Sequence, residues 1–515
     1  MRSLLTILAV LPIFSLTSAL PAAEQTVEKS TEAARHAERT VAGWKVLIHP
    51  DLTSQATAAT EEALTLLEGQ LSAIVKDLPA SVVARLREVP LWFSPRYPGI
   101  GPRAEYHPGA GWLRDNGRNP AMEKAIEFTN IPEFAAETRR MPNFALHELA
   151  HAYHDRVLGF DNPEIIDAYD AARTSGKYNR VKRRDSEGRE REDKAYAMTD
   201  HKEYFAECTE AFFSRNDFFP FVRAELEAHD PRAVRVLSRT WNADPLPAIT
   251  APPAGMKLPP FYTKYISASG YPIIASDKVS DYALREAAFL CDQMLAKRPD
   301  IRDAMIRSGS RMNVIAWNEF TTDLPDFAML QPKNFWDARA RGTGGSEDDP
   351  ACSSAEENLL GYPGDPYEKE CILIHEFAHS IHLRGVQALD PTFNDRLRAT
   401  YDKAKAAGLW KNAYAATNPA EYFAEGVQSW FNNNRENDSV HNHVNTRREL
   451  EEYDPGLAAI CREIFGDTEL RYTKAPTRPY GHLAGFDPSK APTFTWPERL
   501  RGIRDGIKRD AEKRD

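Results

Sequence analysis

The hydrophobic and polar positions of this chain follow the same order twice. GWKVLIHPDL near Trp44 and GYPIIASDKV near Tyr271 each predict a short strand, and apolar residues at the spacing of an amphipathic helix follow both. A second strand is predicted at VPLWFS near Leu91 and at RMNVIAW near Val314. Each half therefore predicts a strand, a helix, a short helix, a strand, an irregular segment and two further helices.

Two polar motifs repeat within those last helices. HELAHAYH begins at His147 and HEFAHSIH at His375, while KAYAMTDHKEYFAE begins at Lys194 and NAYAATNPAEYFAE at Asn412. The first half contains an additional charged stretch, NRVKRRDSEGREREDK, which is typical of a solvated surface loop. Self-similarity on this scale indicates a tandem duplication of one α+β unit.

The duplication defines the expected domains. We expect an α+β protein with two tandem domains, residues 25–244 and 261–473, each mostly helical with a small mixed sheet. A Pro-rich linker, residues 245–260, separates them, and a Pro-rich tail with a basic helix, residues 474–515, follows. A length of 515 residues allows three or four domains, so the repeat lowers the expected number to two.

Residues 1–23 have the pattern of a secretory signal peptide. Arg2 precedes an apolar segment that is shorter than a membrane span, and the small residues that follow place cleavage after Ala19 or Ala23. We therefore expect a secreted or periplasmic protein with no stable membrane insertion after cleavage. An uncleaved membrane anchor is the alternative.

Composition excludes several classes of protein. With 42% hydrophobic and 27% charged residues, the chain is a packed soluble protein and not a disordered one. A net charge of −10 provides no basic field, so nucleic acid is not expected as a partner.

Five cysteines are too few for a disulfide framework. Cys208 lies in an apolar helical stretch and is predicted to be a buried, unreactive side chain. Of the other four, Cys291, Cys352, Cys371 and Cys461, a Cys352–Cys371 pair would join a Gly-rich segment to the start of a motif helix. Two unpaired thiols are the alternative.

The HExxH motif of each half has the spacing of a metal site. Residues i and i+4 of a helix differ by about 40° in direction and about 6 Å in height, so the two His of each motif point towards one position, as one tetrahedral zinc ion requires. The following Glu, Glu148 or Glu376, lies beside that position and can take a proton from metal-bound water. The His pairs are His147 with His151, and His375 with His379.

The acidic repeat downstream supplies the expected third ligand. Glu203 and Glu207 in the first half, and Glu421 and Glu425 in the second, share one helix face at i and i+4. One carboxylate of each pair can bind zinc while the other accepts the free N–H of a ligating imidazole. The spacing leaves open which Glu has which role.

A third His in each motif, His154 or His382, is a poorer candidate. It lies about 10 Å along the helix axis from the first His, too far to complete the same tetrahedron. A supporting or substrate-facing role is the alternative for it.

These motifs resemble the gluzincin zinc metallopeptidases, in particular the catalytic domain of anthrax lethal factor. In that family HExxH is followed by a Tyr that stands seven residues before a zinc-binding Glu in an E-[FY]-F-A-E context. Tyr196 precedes Glu203 by seven residues, and Tyr414 precedes Glu421 by the same number. The resemblance covers the stretch from the HExxH helix to the acidic helix in each half.

The resemblance implies two tandem zincin-like domains that bind one Zn²⁺ each, two per chain. It also implies that the first Glu of each acidic pair binds zinc, that the second orients a His, and that the Tyr donates a hydrogen bond to the developing oxyanion. The toxin's other domains have no counterpart here, so the resemblance supports the chemistry and not the toxin's biology.

The resulting prediction is a secreted or periplasmic zinc metallopeptidase that acts on a peptide or protein. Glu148 and Glu376 are the expected bases, and Tyr196 and Tyr414 the expected oxyanion donors. Two alternatives stay open: a zinc-binding recognition protein with one or both units non-catalytic, and a zinc hydrolase of a non-protein amide such as a cell-wall crosslink. Endo- or exopeptidase action and the oligomeric state are also open.

Zincins hold their substrate as an extended strand beside the motif helix. KAIEFTNIPEF, Lys124–Phe134, is the expected edge strand of the first half. The Gly-rich segment that begins at Ala340 is the expected counterpart in the second half.

Overall fold

The structure is a computed structural model that describes residues 36–242, 246–468 and 470–512. The predicted signal peptide, residues 1–23, lies outside the described residues. The protein is α+β, as the sequence predicts, with small mixed sheets among many helices. Within the described ranges no helix has both the length and the apolar character needed to cross a membrane.

The chain divides into two compact units. The first unit comprises the described residues up to Phe160 together with Asp167–Val234, and the second comprises Asp161–Ile166 and the described residues from Arg235 onward. The second unit therefore includes the described part of the predicted Pro-rich linker, residues 246–260, and the described part of the predicted tail from residue 474. Leu483 and Phe486 of that last segment lie in its hydrophobic core.

The first unit contains a five-stranded mixed sheet with the order β1-β2-β3-β5-β4. Strands β2, β3 and β5 are parallel, and β1 and β4 pair antiparallel at the two edges. Strands β3 and β5 are buried at every position, as expected where both faces of a sheet are covered. The strands are β1 (Ala37–Val41), β2 (Trp44–Ile48), β3 (Leu91–Phe93), β4 (Ala104–Tyr106) and β5 (Ile126–Phe128).

The expected edge strand of the first half is wrong. Within Lys124–Phe134, Ile126–Phe128 forms β5, which pairs with β3 on one side and β4 on the other. The edge is Ala104–Tyr106, a three-residue strand too short to produce a visible alternation. The additional charged stretch forms a two-stranded hairpin, β6 (Val181–Arg184) with β7 (Glu190–Asp193).

The second unit repeats the sheet of the first. Its order is β11-β12-β10-β9-β8, with three parallel central strands and antiparallel strands at both edges. The Gly-rich segment supplies the edge strand β11, as the sequence predicts. The strands are β8 (Lys264–Ala268), β9 (Tyr271–Ala275), β10 (Arg311–Ile315), β11 (Gly342–Thr343) and β12 (Ala351–Ala355).

Helices surround these sheets. Those of the first half are α1 (Pro50–Gln55), α2 (Thr57–Asp77), α3 (Ala80–Leu86), α4 (Ala110–Asp115), α5 (Phe134–Arg140), α6 (Phe144–Tyr153), α7 (Pro163–Ser175), α8 (His201–Phe213), α9 (Arg223–His229) and α10 (Pro231–Thr240). Those of the second half are α11 (Asp281–Met294), α12 (Pro299–Arg307), α13 (Lys333–Arg339), α14 (Glu356–Leu360), α15 (Ile372–Ser380), α16 (Gln387–Leu389), α17 (Phe393–Ala406), α18 (Pro419–Trp430), α19 (Arg447–Tyr453), α20 (Pro455–Phe465) and α21 (Glu498–Glu512).

The five cysteines are all buried and free. Cys352 and Cys371 do not form the pair that the sequence allows, so the alternative of unpaired thiols is correct. Burial raises the pKa of the Cys352 thiol to about 12, which keeps it protonated and unreactive. Cys208 is buried, as predicted.

Candidate metal centres

The first cluster consists of His147, His151 and Glu203. The Nε2 atoms of the two His lie 3.1 Å apart, and Glu203 Oε2 lies 3.2 Å from His147 Nε2 and 3.3 Å from His151 Nε2. Zinc bonds of about 2.0–2.1 Å in a tetrahedron place the donor atoms about 3.3–3.4 Å apart. These three donors therefore match three corners of one zinc tetrahedron.

The second cluster consists of His375, His379 and Glu421. Its Nε2–Nε2 distance is 3.3 Å, and Glu421 Oε2 lies 3.1 Å from His375 Nε2 and 3.5 Å from His379 Nε2. Each cluster is a compact set of three potential ligand atoms. Two imidazoles and one carboxylate leave the fourth position open for a water or a substrate, which is typical of catalytic zinc.

Helix caps position these ligands. Asp200 accepts hydrogen bonds from the backbone N–H groups of Lys202 and Glu203 at the start of α8, and Asn418 caps α18 in the same way through Glu421. Each cap places the Glu ligand in the first turn of its helix. Helices α8 and α18 pack against the motif helices α6 and α15, which brings this turn to the two His.

The two carboxylates are ionised in this environment. Burial raises the pKa of Glu203, but hydrogen bonds with His147 and His151 outweigh it and hold that pKa well below its ordinary value. The same balance, with His375 and His379, lowers the pKa of Glu421. A negative ligand beside two imidazoles is the charge state that a divalent cation requires.

The predicted bases lie beside the edge strands. Glu148 Oε2 accepts a hydrogen bond of 2.8 Å from the backbone N–H of Tyr106 on β4. Burial raises the pKa of Glu376, its counterpart in the second unit, although the neighbouring His375 and His379 oppose that effect. A Cβ atom on Gly344, just after β11, would lie 2.8 Å from His379 Cβ, so this close approach requires glycine.

Tyr196 and Tyr414 begin short 3₁₀ turns, Tyr196–Met198 and Tyr414–Ala416, directly before α8 and α18. Their exposed fractions are 47% and 38%. Burial, followed by the charge of Glu203, raises the pKa of Tyr196, so its hydroxyl keeps its proton and can donate a hydrogen bond. The ring of Tyr414 lies 6.3 Å from that of His375.

The orienting residues differ from those that the resemblance implies. His147 Nδ1 lies 2.7 Å from Glu210 Oε1 but 3.8 Å from Glu207 Oε1. Glu207 instead accepts a hydrogen bond from Asn216. Glu210 stands seven residues after Glu203, one more turn along the same helix face, and the packing of α8 on α6 brings it to the ring.

The second unit shows the same shift. His375 Nδ1 lies 2.8 Å from Gln428 Oε1 and 3.6 Å from Glu425 Oε1. Glu425 instead accepts a hydrogen bond from the side-chain amide of Asn434, and its Oε2 lies 3.4 Å from His441 Nε2. Glu207 and Glu425 are therefore corrected as direct hydrogen-bond partners of the ligating His. The one sequence signal for Glu210 and Gln428 is a polar side chain at i+7 in an apolar stretch.

His154 and His382 do not join the clusters. Each lies where its motif helix passes into a π-helical turn, His154–Leu158 or Ile381–Val386. Burial lowers the pKa of His154 to about 3, and its ring packs against Phe160 and Phe205. Among the described residues neither is grouped with the donors of its cluster, which agrees with the helix geometry.

A cleft of about 700 Å³ opens over the first cluster. Its walls include the three potential ligands, the predicted base Glu148, Tyr196 and the edge strand Ala104–Tyr106. Arg140, Arg183 and Asp217 also line it. The cleft is large enough to hold several residues of an extended peptide.

A third group, Glu105, His107 and Glu127, also has donor atoms close together. Here Arg118 lies 3.1 Å from Glu105 Oε2 and 2.6 Å from Glu127 Oε2, and thus already supplies a positive charge. This group is better explained as a buried ion-pair network than as a metal centre.

Comparison with protein-family models, with curated proteins and with solved structures gives no significant match to the chain. The resemblance to gluzincins therefore depends on the motifs and on the geometry of the two clusters.

Proposed function

We propose that the chain is a zinc-dependent metallopeptidase, secreted or periplasmic, with two tandem zincin-like units and one site in each. The observation that carries this proposal is the pair of His-His-Glu triangles, each with tetrahedral donor spacing and a Glu directly after its first His. Both halves of the repeat have the same arrangement, which favours a shared chemical role.

The ligands would be His147, His151 and Glu203 in one site, and His375, His379 and Glu421 in the other. A zinc ion bound there supplies a Lewis acid that lowers the pKa of water and polarises a carbonyl. Structural zinc sites are usually closed by four protein ligands. Among the described residues no fourth His, Cys or carboxylate is grouped with all three donors of either cluster, since Glu207 and Glu210 are grouped with His147 alone, at its Nδ1. This favours catalysis over a purely structural role.

The chain's own residues then have separate roles in the reaction. Glu148 or Glu376 takes the proton of the attacking water and passes it to the leaving amine. Tyr196 or Tyr414 keeps its proton and donates a hydrogen bond to the carbonyl oxygen as it gains charge. In the first unit the backbone N–H of Tyr106 holds the Glu148 carboxylate at 2.8 Å, which orients the base relative to the edge strand.

The test combines zinc analysis with hydrolysis of a mixed peptide library. We expect about two zinc ions per chain and peptide cleavage that Glu148→Gln and Glu376→Gln together lower about a thousandfold, while each variant keeps its zinc. Glu68→Gln, an exposed change on α2, is the matched control. A purified protein that binds no zinc, or that binds two and cleaves no peptide, contradicts the proposal.

A further inference from the structure

A second cavity of about 380 Å³ in the first unit, here called the arginine pocket, adjoins the cleft. It shares Arg140 and Arg183 with the cleft, so the two cavities have a common wall. Five guanidinium groups and only two carboxylates line it. Its lining residues are Arg140, Arg183, Arg184, Asp185, Arg189, Glu190 and Arg191.

The hairpin β6–β7 forms most of this pocket. Two of its cross-strand pairs, Lys182 with Glu192 and Arg184 with Glu190, have opposite charges, and one pair has like charges. Arg183 and Arg191 are directly opposite each other in the antiparallel register. Like charges at such a position destabilise a strand pair, so local stability alone does not account for this arrangement. Natural proteins place such locally unfavourable pairs mainly at functional sites, so this pair indicates a binding site.

Stacking and one buried acid hold the inner arginines in place. The guanidinium group of Arg183 lies 4.5 Å from the ring centroid of Phe218, and that of Arg184 lies 4.0 Å from the ring centroid of Phe221. Asp217, 2% exposed, pairs with both Arg140 at 2.7 Å and Arg183 at 3.2 Å. Asp217 thus orients two cations. The other acids that pair with Arg140 and Arg184, Glu137 and Glu190, are about one-third exposed.

The outer arginines have only weak, exposed partners. Arg189 pairs with Asp185 and Glu187, and Arg191 with Asp193, while the two arginine side chains are 75% and 67% exposed. Exposed pairs of this kind contribute little stability, so a carboxylate from another molecule can replace them at small cost. Each guanidinium has five N–H donors in a planar fork that suits carboxylate groups.

The corresponding segment of the second unit lacks the charged hairpin. Between α17 and the turn at Tyr414 it has only the segment 407–413, which contains no hairpin. Arg435 follows Glu421 by fourteen residues, as Asp217 follows Glu203, and pairs with Glu370 at 3.2 Å. At the position fourteen residues after the Glu of each cluster, the first unit therefore has an acid, Asp217, and the second unit has a base, Arg435.

We infer that the first site selects substrates with an acidic segment, whose carboxylates bind in the arginine pocket while the scissile bond lies in the cleft over the first cluster. This inference rests on the proposed function. It assigns the pocket to recognition and gives the two units different substrate preferences.

The test uses the full-length zinc-loaded protein with Glu376→Gln, so that only the first site acts. A neutral peptide cleaved by this protein is extended at either end with four Glu or four Gln residues. We expect kcat/KM to be about tenfold higher for the better Glu-extended peptide than for its Gln counterpart, and the ratio to fall as salt rises.

The decisive variant is Arg184→Gln with Arg189→Gln and Arg191→Gln, which removes three charges from the pocket. We expect it to lower the Glu-to-Gln ratio towards one. The matched control, Arg180→Gln with Lys182→Gln, removes charge from the same hairpin at exposed positions that do not line the pocket, and keeps the ratio. An unchanged ratio in the triple variant, or a ratio of one in the parent protein, overturns the inference.

A binding measurement separates this inference from the proposed function. The fluorescein-labelled Glu-extended peptide is titrated into zinc-loaded Glu148→Gln/Glu376→Gln protein, with and without the triple arginine change. Arginine-dependent binding supports the pocket even if no peptide is cleaved, an outcome that defeats only the proposed function. Cleavage without arginine-dependent binding leaves the proposed function standing and defeats the inference.

Discussion

The two clusters have the same three donors at nearly the same distances, yet their surroundings differ in charge. In the first unit the Nδ1 atom of His147 lies 2.7 Å from a carboxylate, Glu210, to which its N–H donates. In the second unit His375 donates to a neutral amide, Gln428, at 2.8 Å, and that amide donates to Glu370 at 2.9 Å. The two halves thus share the donor geometry and differ in the electrostatics behind it.

This difference concerns how strongly each imidazole can bind a metal. A carboxylate partner raises the basicity of a ligating imidazole more than an amide does. Burial raises the pKa of Glu210 to about 7, although the hydrogen bond with His147 opposes it. The first site therefore has the stronger donor when Glu210 is ionised.

The largest expected effect comes from removing one ligand of either cluster. Glu203→Ala and Glu421→Ala should each lower the zinc content from about two to one per chain and abolish hydrolysis at that site, because two imidazoles alone hold zinc weakly. Plasma emission spectrometry measures the metal. Glu105→Ala, in the third group, is the control and should keep both ions, since Arg118 already serves that group. Loss of zinc in the control would make the third group a metal centre.

A smaller effect is expected at the two tyrosines. Tyr196→Phe in a Glu376→Gln background, and Tyr414→Phe in a Glu148→Gln background, should lower kcat about ten- to a hundredfold with little change in KM, because the lost hydrogen bond forms mainly in the transition state. Steady-state kinetics on one peptide give both values. If KM alone rises, the tyrosines contribute to binding of the substrate ground state, and their proposed role as oxyanion donors is wrong.

The exchange of orienting residues tests the electrostatic difference directly. Glu210→Gln should weaken zinc binding at the first site about tenfold, measured by competition with a chelator in a Glu421→Ala background. The reverse change is Gln428→Glu in the second unit. It is combined with Glu370→Gln, because a new carboxylate beside Glu370 would create repulsion. In a Glu203→Ala background this double change should tighten zinc binding at the second site by a similar factor. Equal affinities before and after both exchanges would contradict an electrostatic role for these residues.

The smallest expected effect is the pH dependence of stability at His154. Burial lowers its pKa to about 3, with further contributions from His201 and His151, whereas an unfolded His titrates near pH 6.5. The unfolded state therefore binds the proton more readily, and stability is lost as pH falls from about 6.5 towards 3, by about 1.4 kcal/mol per pH unit. Above pH 7 this contribution is complete.

His154→Leu should remove that slope, as measured by urea unfolding of the zinc-free protein between pH 5 and 8. His382→Leu is the matched variant in the second unit, where the His382 ring has a hydrogen bond of 2.6 Å with Asn394. That hydrogen bond raises the pKa against the lowering by burial, so we expect a shallower slope there. The same slope in wild type and His154→Leu would show that this His does not set the acid sensitivity.

Local sequence was sufficient for the α+β class, for the repeat and for the pairing of the two His in each HExxH motif. His147 and His151 lie one turn apart on any helix, so their pairing follows from local geometry alone. The role of Glu203 over Glu207 came from the resemblance, and the cluster geometry agrees with that role. The edge strand of the first unit was missed, because three residues at Ala104–Tyr106 show no recognisable period.

By itself, then, the sequence determined the features that depend on neighbours along the chain: the helices, the duplication and two motifs of metal-binding spacing. Only the tertiary structure decided which polar residue reaches the back of each imidazole, because Glu210 and Gln428 meet their His through the packing of one helix on another. It also decided that Cys352 and Cys371 stay apart, and that a charged stretch folds into a hairpin beside the cleft. Those outcomes depend on contacts between distant segments, which no local pattern encodes.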